Sequence, residues 1–354
     1  MSTRVTIQDI ADALGISRNT VSKAINNSDG IAAATRDKVL AKAAEMGYRQ
    51  FSYVQALSSS WRGPQEAEPL PGSSGEIALL TTMQFNESHF AVTMIDRLGR
   101  ELAQFGYSLV TYYVNKDLLE QKQLPYPLPR ENTKAFICFE MFDWSYCDML
   151  CALDMPLLFV DGPSRKNGRK LQADQLCMDS ISETTKVILQ AVRMGKKRFG
   201  FVGDPAHCQS FFERFIALYS SLVSSGIPYH AEYLVPENHP IDVYHGIESM
   251  PELPEFLLCA NDDIAIDVIR ILKKLGKSVP EDVMVCGFDD TAESRQVEPS
   301  LTTVHIHTQV MAYTAAQLLL TRIQDPFMDF RTVYTQTDLM LRDSTRNGKE
   351  AGAE

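Results

Sequence analysis

The chain has 354 residues, 45% of them apolar and 22% charged, with a formal net charge of -11 and seven Cys. That composition belongs to a globular protein and excludes a disordered or collagen-like one, and the length is too great for one ordinary domain. No apolar run is long enough to cross a bilayer and the N-terminus reads as polar helix, so neither a membrane partner nor a secretory signal is expected, and the scattered Cys without C-x-x-C lead us to expect a reducing cytoplasm.

In chain order the first element is TIQDIADALG, where Ile7, Ile10, Ala11 and Leu14 fall at the i, i+3, i+4, i+7 spacing of an amphipathic helix. Thr6 and Asp9 open it in the [ST]-x-x-[DE] capping pattern, and Gly15 suits the turn that ends it. A second helix beginning at Ser17 carries Val21, Ala24 and Ile25 on one side and Arg18, Asn19, Ser22, Lys23 and Asn26 on the other. Thr35 is placed to cap a third helix with the apolar stripe Val39, Leu40, Ala43 and Met46, stopped at Gly47. Two helices joined by a tight Gly turn, the second with an exposed hydrogen-bonding face, form a helix-turn-helix whose Arg, Lys and Asn side chains match base edges in the major groove. An ordinary helical hairpin with a solvated polar face has the same spacing. Charge favours the first reading: residues 1–60 hold seven basic against five acidic side chains, net +2, and the remainder carries net -13.

Between Tyr48 and Glu76 the sequence reads as a linker. Ser52 and Gln55 make a capping pair ahead of Val54, Ala56 and Leu57, enough for a short helix that is marginal alone. The Pro-, Gly- and Ser-rich residues 58–75 read as flexible connection.

From Glu76 short apolar runs alternate with helical stripes. Strands are expected at 76–81, 108–114, 135–139, 156–160, 175–178, 198–203, 256–260 and 283–288, with amphipathic helices between many of them and a last long one in TQVMAYTAAQLLLTRI. Such alternation predicts parallel sheets covered by helices, with ligands at the carboxyl ends of strands. No dinucleotide, P-loop, nucleophile-elbow or zinc-protease motif is present, so no enzyme activity and no cofactor is expected. Asp289 and Asp290 could form a carboxylate dyad, but neighbours along a strand end point apart. The scattered Cys residues, without C-x-x-C, read as buried free thiols, and His305 and His307 lack further ligands at metal spacing.

TIQDIADALGISRNTVSKAINN followed by TRDKVLAKAAEMGY resembles the N-terminal module of the LacI/GalR family of bacterial transcription regulators, through all three helices and Tyr48. The resemblance implies that Arg18, Asn19 and Lys23 touch base edges, that Thr6, Ser17, Ser22, Asn26 and Thr35 hold phosphates, and that a hinge helix wedges Leu57 into the minor groove. Ala32 and Ala33 stand where the family usually has small polar residues, and Gln50, Phe51 and Gln55 depart from its hinge pattern.

LLFVDG, RMGKKRFGFVGD, FFERF, LLCANDDIAIDVIRILKKLGKSVPEDVMVCGFDD, EPSLTTV and LMLRDST resemble, in order, the family's effector-binding domain. The resemblance implies an all-α helix-turn-helix head (1–50), a hinge helix and linker (51–75), a periplasmic-binding-protein-like domain of two doubly wound parallel-sheet lobes with three crossovers (76–345), and a tail (346–354). Asp161, Arg214, Asn261 and Asp289 would face the ligand and Phe90 would form an apolar wall, a set suited to a polyhydroxylated molecule. Each has a plain structural alternative in a surface ion pair, a loop cap, a turn or the core. Glu183, Thr184, Ala217, Leu218 and Ala312 replace residues the family usually carries, and Pro125, Pro127 and Pro129 interrupt a segment where it has a complete helix. The expected protein is a homodimeric regulator, a repressor by default, that binds double-stranded operator DNA and responds to a small-molecule effector, a sugar or sugar derivative. Residues 90–104 are a candidate dimer face, and no leucine heptads follow for a tetramer. The alternative is a regulator with a vestigial cleft, controlled by a protein partner or by no ligand.

Overall fold

The computed structural model describes residues 7–25, 31–46, 75–82, 89–165, 167–236 and 238–346, which fall into two units, Met1–Gly72 and Ser73–Glu354. The expectations for Thr6, Asn26, Leu57 and the hinge, and for the side chain of Phe90, lie outside the described residues.

In the smaller unit α1 (Ile7–Leu14), α2 (Arg18–Ile25) and α3 (Ala33–Glu45) close on Ile10, Ala11, Val21, Ala24, Val39 and Ala43, all fully buried. Gly15 takes φ +64, a conformation that costs a side-chain-bearing residue, and so lets the chain reverse between α1 and α2. Ser17 Oγ then accepts from Thr20 N at 3.1 Å, satisfying one of the free amides that start α2. The third helix begins earlier than expected. Ala32 O accepts from Thr35 N and Arg36 N, so Thr35 lies in the first turn and is not its cap.

The larger unit contains β1 (Gly75–Thr81), β2 (Tyr107–Tyr113), β3 (Thr133–Phe139), β4 (Leu157–Val160), β5 (Asp174–Met178), β6 (Phe199–Val202), β7 (Leu234–Val235), β8 (Phe256–Cys259), β9 (Met284–Cys286), β10 (Thr303–Ile306), β11 (Thr332–Thr335) and β12 (Thr337–Met340). Its helices are α4 (His89–Ala103), α5 (Lys116–Gln121), α6 (Trp144–Cys151), α7 (Ser182–Arg193), α8 (Gln209–Ser224), α9 (Pro240–Glu248), α10 (Asp262–Lys274) and α11 (Thr308–Gln324). One parallel sheet has the order β11-β5-β4-β3-β1-β2 and a second, also parallel, β7-β6-β8-β9; β10 and β12 form an antiparallel pair. The sheets are the centres of two lobes.

Alternation along β1 shows how the first lobe is filled. Ile77 and Leu79 face α4 and α11 through Met94, Leu98 and Leu319, while Ala78 and Leu80 face the layer of Tyr146, Cys147 and Leu150 on α6. Burial on both faces is why these strands read as continuous apolar runs. In the second lobe α7, α8 and α10 bring Ile188, Leu218, Leu222, Val268 and Leu272 against β6 and β8. The chain crosses between lobes after β5, between β9 and α11, and between β11 and β12, and the crossing segments pair: Asp179 N donates to Thr335 O and Asp289 N to Val304 O, each at 2.8 Å.

A buried ionic tie closes the edge of the larger sheet. Asp174, 1% exposed, accepts from Arg322 Nε at 3.1 Å and Nη2 at 3.0 Å, and from Arg331 N at 2.8 Å and Nη2 at 3.0 Å. Three separate segments are thereby held at the start of β5. In the Pro-rich region the helix is cut to α5, with Asn115 Oδ1 accepting from Leu118 N at its start and Lys122 in the left-handed region at its end. All seven Cys are free, and only Cys151 is other than buried. Among the described residues no helix is long and apolar enough to cross a membrane.

Candidate functional site

The carboxyl ends of both parallel sheets face one cavity of about 690 Å³ between the lobes. Glu140 follows β3, Asp161 follows β4, Asn261 follows β8, Asp289 follows β9, and Arg214 projects from α8; all five line it. The structure therefore brings the four expected polar residues together. Phe90 belongs to α4.

Each carboxylate has a different environment. Asp161 accepts from Ser210 Oγ at 2.7 Å and from Ser210 N at 3.2 Å, a contact from the first lobe to the start of α8 in the second. Burial pushes its carboxyl up, against the Ser210 hydrogen bonds and the nearby Arg214 charge. Asp289 is also pushed well up by burial, with Asp262, Asp263 and Glu140 adding to the effect and Arg214 opposing it. Burial, and then the charge of Asp161, raises Glu140 to about 7. Asp290 goes the other way: burial is outweighed by hydrogen bonds from His305, Arg295 and Arg342, which hold it below the usual carboxylate range.

Arg214 is 2% exposed, and its guanidinium carbon sits 3.6 Å from the centre of the Phe288 ring. Its Nη1 donates to Ala260 O and its Nη2 lies 3.9 Å from Asp289 Oδ1. Asn261 Oδ1 accepts from Ile264 N at 2.9 Å and so caps α10, leaving the amide nitrogen as the group it offers the cavity. Glu140, Asp161, Asp289 and Asp290 all adopt left-handed φ, at 52°, 57°, 120° and 56°. Such strain costs on the order of 1–3 kcal/mol per residue and concentrates where side chains are held for binding.

Sequence reasoning missed Glu140, Ser210 and the ring group Phe142, His207 and Phe211, in which His207 lies 4.9 and 5.2 Å from its two neighbours. Glu140 shares with Asp161 its place directly after an apolar strand run, a signal that the resemblance to the family did not draw on. The others reach the cavity only through the approach of the lobes. A second tie between lobes lies beside it, where Tyr334 Oη donates to Glu213 Oε1 at 2.8 Å and accepts from Arg165 Nη2 at 3.1 Å.

In the smaller unit Arg18, Asn19 and Lys23 are exposed on α2, and Ser22 and Thr35 are half-buried. Ser17 is exposed, but its Oγ is engaged by Thr20 N and by Thr20 Oγ1 at 2.8 Å. Two Asn/Lys-type donors and a guanidinium on one helix face match the chemistry of base edges.

Residues 6–50 match the family model described as bacterial regulatory proteins, lacI family, and residues 190–345 match the periplasmic binding protein-like domain. The HTH-type transcriptional regulator CelR of Thermobifida fusca is 26% identical, over 96% of this chain and 98% of that protein. The solved complex of transcriptional regulator CelR with cellobiose aligns at 22% identity with a TM-score of 0.65, covering 96% of this chain and all (100%) of that one. A lac repressor dimer bound to operator and the anti-inducer ONPF aligns at 22% identity and TM-score 0.65, covering 97% of this chain and 99% of that one.

Proposed function

The chain belongs to the lacI family of bacterial regulatory proteins and is a DNA-binding transcriptional regulator, and we propose that it represses its targets from a palindromic operator under the control of a small polyhydroxylated effector. The observation that carries this reading is the occurrence in one chain of an exposed Arg18, Asn19 and Lys23 face on α2 and a polar cavity at the carboxyl ends of two sheets. Arg18, Asn19 and Lys23 read base edges; Ser22, Thr35 and, from outside the described residues, Thr6 and Asn26 hold phosphates, and Leu57 enters the minor groove. Asp161, Arg214, Asn261 and Asp289 grip the effector. Its binding favours one arrangement of the lobes and so changes operator affinity.

A sugar-like effector is supported by the cavity's mixture of acceptors, donors and rings, and by the CelR relative, whose solved complex contains cellobiose. The protein acts as a homodimer, because one head offers few base contacts and two multiply the discrimination; the solved lac repressor on operator is a dimer. It works in the cytoplasm and has no catalytic role, as befits relatives that are transcriptional regulators.

Footprinting across the source genome tests the assignment, followed by anisotropy titrations of the identified site with wild type and with Arg18→Ala/Asn19→Ala. Loss of each base contact should cost about 1–3 kcal/mol of specific binding, with the protein's melting unchanged. Absence of any preferred site, or selectivity retained in the double variant, would overturn the reading.

A further inference from the structure

The charges around the cavity do not balance for a neutral ligand. Among the described residues its lining carries six acids, Glu140, Asp161, Asp263, Asp289, Asp290 and Glu293, against two guanidiniums, Arg214 and Arg295, with His207 and His305 beside them; Asp290 is saturated by Arg295, Arg342 and His305, which leaves Arg214 as the guanidinium nearest Glu140, Asp161 and Asp289. That guanidinium is partly engaged, stacked on Phe288, donating to Ala260 O and lying 3.9 Å from Asp289, with its Nε buried and unpaired. Asp161 has Ser210. Glu140 has no such partner: among the described residues no donor reaches its Oε2, which is closed off from solvent.

We propose that the cavity takes an effector carrying a protonated amine on a polyhydroxylated frame, with Glu140 as the counter-ion of that amine. This rests on the reading of the cavity as the effector site and narrows the class of ligand. A buried acceptor without a donor costs about 1–3 kcal/mol, and either a hydroxyl or an ammonium would relieve it. Only the ammonium also supplies the positive charge that these crowded acids lack, and it brings three donors that Glu140 and Asp161 can share. The elevated Glu140 carboxyl, raised in part by Asp161, is consistent with a site held short of a cation. Phe142 and Phe211 line the same cavity, and aromatic rings tolerate a cation better than an anion. An anionic sugar derivative would meet Glu140, Asp161 and Asp289 with like charge.

Calorimetric titration of the full-length protein with matched pairs tests the proposal: glucose, galactose and mannose, each against its 2-amino-2-deoxy counterpart and the uncharged N-acetyl derivative. The amine should bind about tenfold or more tighter than both uncharged forms, the yield of one charged hydrogen bond. Glu140→Gln, checked for folding by its melting curve, should bring the amine's affinity down to that of its neutral parent. Equal binding within every pair, or a preference that survives in E140Q, overturns the amine assignment while leaving the effector cavity standing. Failure of every sugar, charged and uncharged, to bind overturns both readings.

Discussion

Replacing Asp174 with Ala removes the carboxylate that joins the start of β5 to Arg322 near the end of α11 and to Arg331 ahead of β11. Arg322 is 3% exposed and would be left as a charge in the interior, with the carbonyls of Pro326, Met328 and Asp329 and the ring of Phe330, 5.1 Å away, as its remaining partners. Breaking such a buried pair costs about 3–5 kcal/mol. The Arg331 side chain is 30% exposed, so its share is screened and belongs with surface pairs at about 0–1 kcal/mol. The lower end applies: about 3 kcal/mol, or a fall of about 6 °C or more in the unfolding of the larger unit. Differential scanning calorimetry at pH 7 measures it, and a double-mutant cycle with Arg322→Ala should return a coupling on the order of 1–3 kcal/mol. The pH dependence has a definite sign. Despite the opposing effect of burial, the Arg322 and Arg331 bonds depress Asp174, so its contribution is complete above the unfolded carboxyl's pKa of about 4 and is lost as pH falls below that. A variant within about 0.5 kcal/mol of wild type at pH 7, the range of an ordinary surface change, would refute the tie.

Three further outcomes are expected. Ser17→Ala should lower the stability of the three-helix unit by about 1 kcal/mol, measured by circular dichroism, and weaken operator binding without altering its salt slope, since no cation is removed. Glu140→Gln should be more stable than wild type above pH 7 and equal to it near pH 4: the wild-type carboxyl, raised from 4.5 to about 7 by burial and Asp161, loses stability as pH climbs through that window, and the amide does not. Urea titration at both pH values decides it. Gly287→Ala would place a Cβ 2.3 Å from Asp262 Oδ1 and 3.0 Å from Leu301 Cδ2. Because Asp262 receives Thr291 N and Thr303 Oγ1, the cavity wall would shift at a cost of about 1–3 kcal/mol, and an unaltered midpoint in urea would show that the wall yields freely.

The parallel strands were legible because burial on both faces turns them into apolar runs; β3, β4 and β8 lie within a residue or two of where FICF, LLFV and FLLC place them. The edge strand β11, also parallel, and β12 were not, because they are four residues each and largely solvent-facing, so neither forms an apolar run. α5, at six residues, is too short for a periodic stripe; what starts it is the Asn115 cap, whose geometry a sequence does not display. Within the cavity, Asp161, Arg214, Asn261 and Asp289 were legible through the family resemblance, and Glu140, which the resemblance did not single out, has the same place after a strand as Asp161. Ser210, His207 and Phe211 were not legible, because what places them beside Asp161 is a contact between segments some fifty residues apart.

Asp161 serves two demands with one carboxylate. The oxygens it would extend to an effector each already accept one bond from Ser210 in the opposite lobe and keep a second lone pair, so an incoming donor could either join that bond or displace it. On the proposed reading, a ligand that displaced Ser210 from Asp161 would release one tie between the lobes, whereas one that left the Asp161–Ser210 bond intact would add to it. Inducer and co-repressor can therefore differ by the position of a single hydroxyl or amine.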